Sequence, residues 1–211
     1  MSYMDLHTHL LPNIDDGVLK FDQIEKMLDV YYQADFSKIV CTPHLYNPYV
    51  RTNISAIKDT YKKVRAIAKT FSIDCLLGSE YYYSNQRSIV GIPIESRYQL
   101  IELATTLPPP DFIDKFNFVL KTGMKIILAH VERYPYLKVG SPDLEKLIDM
   151  GVLIQVNASA VASGKAIEFV ETETADLIST DNHGNFKLPL VFLEQIAKYP
   201  YLHKRMEKIY L

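Results

Sequence analysis

The sequence predicts a closed or nearly closed α/β barrel of about seven parallel strands. Three observations lead there. Strand-like and helix-like segments alternate along the chain, and no composition shift, flexible linker or internal repeat divides it. The strand-like segments are short, apolar and without a polar face, as parallel strands covered on both sides by helices are. Each also carries a metal-capable or polar side chain at or just past its carboxyl end. An open doubly wound sheet gathers such residues only at its switch point, whereas an α/β barrel collects them from many strands onto one rim.

Taken in order, Ser2 to His9 reads as a first strand ending in His7 and His9. Phe21, Ile24, Met27, Leu28 and Tyr31 recur at helical spacing and predict a helix over 21–35. Ser37 to Thr42 is a β-branched run stopped by Pro43, with His44 beyond it. A long helix follows from about Asn53, as N-cap, to Phe71, with Ile57, Tyr61, Val64 and Ala68 on one face. Ile73 to Gly78 is the third strand, with Glu80 just past it. Tyr98 to Leu103 is the fourth and carries Glu102. After Pro108-Pro109-Pro110 a helix runs to about Thr122, with Gly123 at its C-cap. Met124 to Ala129 is the fifth strand, with His130 at its end. A helix over 142–150 ends at Gly151, Val152 to Val156 is the sixth strand and leads to Asn157, and Asp176 to Ser179 is the seventh and leads to Thr180-Asp181. Helices over 186–198 and 200–210 close the chain.

Composition narrows the function classes. At 211 residues the chain can bury a sizeable core, and we read it as one domain. Lys+Arg 23 against Asp+Glu 25 gives no reason to expect nucleic acid or an anionic membrane as partner. The N-terminal residues lack a basic region followed by an apolar one, and no apolar run nears the ~20 residues of a membrane span, so membrane insertion is not expected. Cys41 and Cys75 lie in apolar strand contexts and make no disulfide framework. These features together predict a cytoplasmic protein.

The chemistry lies in the strand ends. His7 and His9, spaced i, i+2 on an extended segment, point to one face and can grip one ion. Asp181 and His183 repeat that spacing far along the chain. Imidazoles and carboxylates together suit Mn²⁺, Fe²⁺ or Zn²⁺, and a carboxylate-rich set leans toward Mn²⁺ or Fe²⁺. The donors outnumber one ion's needs, so two or three ions sharing a carboxylate are expected. Such a site gives hydroxide near neutral pH and clamps the oxygens of an in-line displacement. Thiol phosphatase chemistry is excluded, because its Cys-x5-Arg loop needs arginine six residues after the cysteine. Asn47 stands there after Cys41, and Tyr81 after Cys75. Either Asp15 or Asp16 can serve as the acid of the DDG turn, and Arg133 can bind phosphate or pair with a surface acid such as Glu132. Tyr46, Tyr49, Tyr81, Tyr82, Tyr83, Tyr134 and Tyr136 crowd the loops after the strands and can wall an aromatic pocket, with Tyr46 and Tyr134 as the substrate contacts expected first.

The segments DLHTHLLPNIDDG, CTPH, GSE, LIEL, LAHVERY and STDNH, in this order, resemble the motifs of the PHP (polymerase and histidinol phosphatase) superfamily, and specifically its bacterial tyrosine-protein phosphatase branch of the CpsB/YwqE type, linked to capsule and exopolysaccharide synthesis. The resemblance covers nearly the whole chain. It implies a distorted (β/α)7 TIM-like barrel spanning 1–211 as one PHP-type phosphatase domain, with the active site at the C-terminal ends of the strands and a trinuclear centre of Mn²⁺ or Fe. Carried onto these residues, it implies that His7, His9, Glu80 and Asp181 hold the first ion, with Glu80 bridging. Glu80, Glu102 and His130 then serve the second, and Asp16, His44 and His183 the third. Arg133 matches the phosphate-binding arginine. Where the branch carries a second such arginine this chain has Lys187, a point charge without the bidentate fork. The implied activity is hydrolysis of phosphotyrosine in a protein substrate, a bacterial tyrosine kinase among the candidates. A phosphatase for a small metabolite such as histidinol phosphate, or a weakened domain that binds metal or phosphotyrosine and regulates a partner, are the alternatives.

Overall fold

The computed structural model describes residues 2–85 and 88–209. Among these residues nine strands and eight α-helices follow one another: β1 (Tyr3–Thr8), α1 (Phe21–Gln33), β2 (Phe36–Cys41), β3 (His44–Leu45), α2 (Ile57–Thr70), β4 (Asp74–Leu77), β5 (Glu80–Tyr82), β6 (Tyr98–Glu102), α3 (Phe112–Lys121), β7 (Lys125–Leu128), α4 (Pro142–Asp149), β8 (Leu153–Asn157), α5 (Ala158–Ala162), α6 (Ile167–Glu171), β9 (Leu177–Ser179), α7 (Leu188–Lys198) and α8 (Pro200–Met206). All strand pairs are parallel, in the orders β1-β2-β4 and β3-β5-β6-β7-β8-β9.

The nine strands occupy seven positions. β2 and β3 are one strand broken at Thr42-Pro43, where proline supplies no amide to the ladder. β4 and β5 are likewise one strand broken at Gly78-Ser79. A Cβ on Gly78 would come within 2.5 Å of the Ile94 side chain, so glycine lets Ile94 pack against the break. Between β9 and β1, Thr8 and Asn182 form a parallel bridge, with His9 N–H donating to the Asn182 carbonyl at 2.9 Å and Asp181 N–H to the His7 carbonyl at 3.0 Å. The seven positions thus run round a ring whose wall steps sideways at two of them. The strand pairs His44–Glu80 and Tyr82–Glu102 exist because of those steps. Strand shortness hid β3 and β5 from the sequence, which placed His44 and Glu80 as loop residues beyond single strands.

The helices follow the apolar spacing that predicts them. α1 buries Ile24, Met27, Leu28 and Tyr31, while Phe21 at its start stays half-exposed. α2 buries Ile57, Val64 and Ala68, and the half-buried Tyr61 donates its hydroxyl to the Cys75 carbonyl. Its expected N-cap, Asn53, instead precedes a separate 3-10 turn, Ile54–Ala56, and its side chain accepts from Ser55 Oγ. Two short helices, α5 and α6, fill the stretch after β8 that the sequence left without an element. The last helix stops at Met206; the expected end at residue 210 lies outside the described residues. Inside, Leu6, Ile39, Ile127, Ile154 and Ile178 are fully buried. Cys41 and Cys75 are buried and free, their sulfurs 3.7 Å apart. Among the described residues no helix is long and apolar enough to cross a membrane.

Candidate metal centre

The carboxyl ends of the strands converge on one cluster of histidines and carboxylates. β1 brings His7 and, one residue past its end, His9. β3 and β5 open with His44 and Glu80, and β6 ends on Glu102. His130 and Asp181 each stand two residues beyond a strand, β7 and β9, in left-handed backbone with φ of 33° and 51°. Non-glycine residues adopt that region at a cost of roughly 1–3 kcal/mol. Here the bend sits at the two equivalent rim positions from which both side chains enter the cluster.

The innermost group is His7, His9, Glu80 and Asp181. His7 Nε2 and His9 Nε2 lie 3.2 Å apart. Each is 3.3 Å from Glu80 Oε2 and 3.5 Å from Asp181 Oδ1. Metal–nitrogen bonds of roughly 2.0–2.1 Å set the atoms of a tetrahedral cage about 3.3–3.4 Å apart. The five separations above, 3.2–3.5 Å, lie near that spacing. Glu80 Oε2 is also 2.9 Å from His44 Nδ1, yet it accepts no hydrogen bond of proper geometry and is buried. A buried carboxylate oxygen ringed by imidazole nitrogens that do not donate to it is the arrangement of atoms aimed at a shared ion.

The outer nitrogens of the same histidines are committed elsewhere. His7 Nδ1 meets Gln155 Oε1 at 3.2 Å, and His9 Nδ1 meets Asp15 Oδ2 at 2.8 Å. Both contacts require the proton on Nδ1 and leave the Nε2 lone pair facing inward, the usual support of a ligating histidine. Asp181 is held from behind through Oδ2, by Asn157 Nδ2 at 2.9 Å and Arg133 Nη2 at 2.5 Å. The Gln155 amide in turn donates to Asn157 Oδ1 and its carbonyl accepts from His130 N–H, so β8 braces three donors at once.

Two further groupings adjoin the first. His130 Nε2 is 2.6 Å from Glu80 Oε1, and Glu102 Oε1 takes His44 Nδ1 at 3.1 Å and Asn47 Nδ2 at 2.7 Å. On the solvent side, Asp16 Oδ1 is 3.6 Å from His44 Nε2 and 3.3 Å from His183 Nε2. His9, Asp16, His44 and His183 each offer an atom within 4.8 Å of the others, as do His7, His9 and Asp181, and His44, Glu80 and Glu102. The electrostatics demand positive charge. Burial opposes protonation of His9, but its hydrogen bond to Asp15 and the Glu80 carboxylate beside it prevail and push it up to about 10. His44 is pushed up to about 11 against its burial by Glu102 and Glu80. Glu80, in spite of complete burial, is held well below the carboxylate range by His7 and His130.

The DDG turn separates its two acids. Asp15 is buried behind His9 and also accepts the amides of His44 and Gly17. Burial would raise its carboxyl, and His9 instead lowers it to about 2. Asp16 is half-exposed and faces His44 and His183. The turn needs glycine at position 17, because a Cβ there would fall 2.1 Å from the His9 carbonyl oxygen.

The expectations for the tyrosines and for Lys187 are corrected, and the acid beside Arg133 is identified. Tyr134 is not a substrate contact: it is 2% exposed, and its hydroxyl meets His130 Nδ1 at 3.2 Å and accepts Leu103 N–H at 3.0 Å. Its ring is packed beneath His130, where it orients the imidazole. Tyr81 and Tyr83 are buried too, which leaves Tyr46, Tyr49 and Tyr82 as the rings with solvent exposure beside β3 and β5. Arg133 pairs with Asp181 rather than with Glu132, and about half of its side chain stays open to solvent. Lys187 is exposed at the start of α7 and, among the described residues, touches no member of the cluster.

Gln155, Asp15 as a brace and Asn47 escaped the sequence reading. Gln155 carried a signal, an amide within the apolar run Val152 to Val156, and Asn157 at the strand end donates to Asp181. Asp5, buried under the cluster, accepts from Tyr31 and Thr180 and ties β1 to β9.

Comparison with known proteins agrees with this geometry. Among curated proteins the chain is 26% identical over 200 residues to tyrosine-protein phosphatase CpsB of Streptococcus pneumoniae, covering 85% of this chain and 82% of that one. It is 25% identical over 205 residues to the putative tyrosine-protein phosphatase CapC of Staphylococcus aureus, covering 89% and 80%. Among solved structures it matches one of the pair YwqE from Bacillus subtilis and CpsB from Streptococcus pneumoniae, described as metal-dependent tyrosine phosphatases, with a TM-score of 0.74 at 21% identity over 95% of both chains. Histidinol phosphate phosphatase from Lactococcus lactis shares the fold at a TM-score of 0.57 and 12% identity, over 93% of this chain and 94% of that one. The profile of the family described as "Capsular polysaccharide synthesis, CpsB/CapC" matches residues 3–210, and the chain belongs to that family.

Proposed function

We propose that this chain is a metal-dependent phosphomonoesterase that hydrolyses phosphotyrosine in proteins, acting over residues 1–211 as one phosphatase domain. The observation that carries the reading is the cage of His7 Nε2, His9 Nε2, Glu80 Oε2 and Asp181 Oδ1, with a half-exposed arginine at its edge. Relatives named tyrosine-protein phosphatases along most of the chain support the substrate class. In this reading the first ion takes the cage, the second takes Glu80, Glu102 and His130, and the third takes Asp16, His44 and His183. Two to three divalent ions are proposed, Mn²⁺ first, with Fe or Zn as alternatives. Bound there, they supply water activation and neutralise charge on the phosphoryl oxygens.

The chain's own groups do the rest. Arg133 spends Nη2 on Asp181, and its remaining N–H donors stay available at the rim to orient the equatorial phosphate oxygens. Tyr46, 43% exposed and edge-on to Tyr81, offers a face for the substrate ring beside β3. A phenol leaves with a pKa near ~10, so its departure needs little help from a general acid, whereas serine is a far poorer leaving group. The proposed substrates are phosphotyrosine proteins of the cytoplasm, a tyrosine kinase among them. Turnover of phosphotyrosine and phosphoserine peptides, and of histidinol phosphate, with and without Mn²⁺ tests the reading. Phosphotyrosine peptides are expected to react at least about ten times faster than phosphoserine peptides, on leaving-group grounds. Equal rates would remove the tyrosine assignment. Preference for histidinol phosphate would make this a metabolite phosphatase, and no metal-dependent turnover would make it a binding module.

A further inference from the structure

Arg133 is the one guanidinium bonded to the cluster among the described residues, and Lys187 does not reach it. A different lysine stands nearer. An open cavity of about 520 Å³ includes Arg133 and Asn157, the two residues that hold Asp181 Oδ2, and also Ser159, Ser163 and Lys165. The local fold explains this. α5 starts directly after β8, and the link Ser163–Lys165 turns back so that Ala166 N–H reaches the Ala160 carbonyl, leaving Lys165 exposed beside the rim.

The cavity's charges are arranged asymmetrically. Glu132 contributes a carboxyl, but Oε1 accepts Asn157 N–H and Oε2 is buried. The solvent-facing charges are therefore both positive, Arg133 and Lys165, and Lys165 makes no ion pair among the described residues. The Ser159 hydroxyl beside them can donate to a carboxylate, while that of Ser163 is given to the Ala160 carbonyl. A larger cavity of about 620 Å³ near Arg51 touches the cluster only through Asp15, whose carboxylate lies behind His9 on the side away from the cage.

We propose that the cleft between Arg133 and Lys165 is a substrate subsite that takes an acidic side chain flanking the phosphotyrosine, with Lys165 as its charge partner. This deepens, and rests on, the phosphatase reading. A phosphate held at Arg133 leaves the peptide backbone one tyrosine side chain further out, and a flanking residue, ~3.3 Å along the extended chain, can turn its own side chain back into the cavity that Arg133 and Lys165 share.

The test compares three substrates: an aryl phosphate, a phosphotyrosine peptide with glutamate on both sides of the tyrosine, and the same peptide with glutamine. The wild-type protein is expected to favour the glutamate peptide about threefold to fivefold in kcat/KM, through KM, the range of one exposed ion pair. Added salt should shrink the preference. Lys165→Ala should erase it, and Lys165→Glu should invert it, with the aryl phosphate unaffected by either. Equal use of the two peptides by the wild type, or a uniform loss on all three substrates in Lys165→Ala, would overturn the subsite alone. Failure to turn over even the aryl phosphate would overturn the phosphatase reading, and the subsite with it.

Discussion

The inner and outer faces of the cluster are built differently. At the inner face, the His7, His9, Glu80 and Asp181 side chains are 0%, 0%, 1% and 4% exposed, and each imidazole is braced through its second nitrogen by a buried partner. At the outer face, Asp16 is 53% exposed and His183 33%, and among the described residues His183 Nδ1 meets only Asp181, at its main-chain oxygen and Oδ1. The inner donors come from strands and from fixed positions two residues beyond them; the outer acid comes from a turn. Desolvated, pre-oriented donors bind metal tightly because little ordering is left to do, whereas a solvated turn must be ordered by the ion itself. The difference leads us to propose graded affinity, with the inner position expected to fill first and to be kept longest.

The largest effect should follow from breaking the inner face. His7→Ala and Asp181→Ala are each expected to remove at least one ion and to cost far more than the ~10–100-fold typical of changes in outer-shell partners. Elemental analysis beside kinetics checks this; full metal content in either variant would move the inner position elsewhere.

Arg133 is next. Arg133→Ala should lose roughly 10²–10³ in rate, the loss of one transition-state charge stabiliser, and keep its ions, because Asn157 still holds Asp181 Oδ2. Arg133→Lys should recover only part, lacking the fork. A drop in metal content would mean that Arg133 serves Asp181 and not phosphate.

Bracing residues should act through affinity. Gln155→Ala and Asn47→Ala are expected to weaken Mn²⁺ binding by about 10–100-fold without abolishing turnover at saturating metal. Gln155→Ala should act on the inner position and Asn47→Ala on the position served by Glu102. Asp16→Ala sharpens the contrast, since it should lower the bound stoichiometry by one and leave the tight sites unchanged in a calorimetric titration. The smallest effect is expected from Lys187→Arg. Its side chain is exposed and off the cluster, so KM should shift by no more than about fivefold, the range of an exposed charge contact, with kcat unchanged. A large gain would show that Lys187 swings in to meet substrate.

The same division decides what could be read from the sequence. The inner donors were legible because period-2 spacing in His7/His9 and a polar residue at each strand end are local signals that any buried parallel strand makes conspicuous. The seven-position ring was legible for the same reason, although β3 and β5, at two and three residues, were too short to register. Spacing alone could not tell Asp15 from Asp16, since neighbours in a turn differ only in which way the backbone aims them, and the choice of Asp16 came from the family resemblance. Tyr134 was misjudged because an aromatic side chain near a site can lie over it or under it, and only packing decides. Gln155 and Asn47 act through hydrogen bonds to residues far away in the chain, 148 positions in the case of Gln155 and His7, and no local pattern records those partners.

The most direct test is crystallography of Mn²⁺-loaded protein with anomalous scattering recorded for the metal, beside the same measurement on Asp181→Ala. The account predicts a strong peak bonded to His7 Nε2, His9 Nε2, Glu80 Oε2 and Asp181 Oδ1 in the wild type, one or two weaker peaks toward Glu102 and Asp16, and loss of the strong peak in the variant. No peak within that cage, or a full-strength peak that survives removal of Asp181, would contradict it.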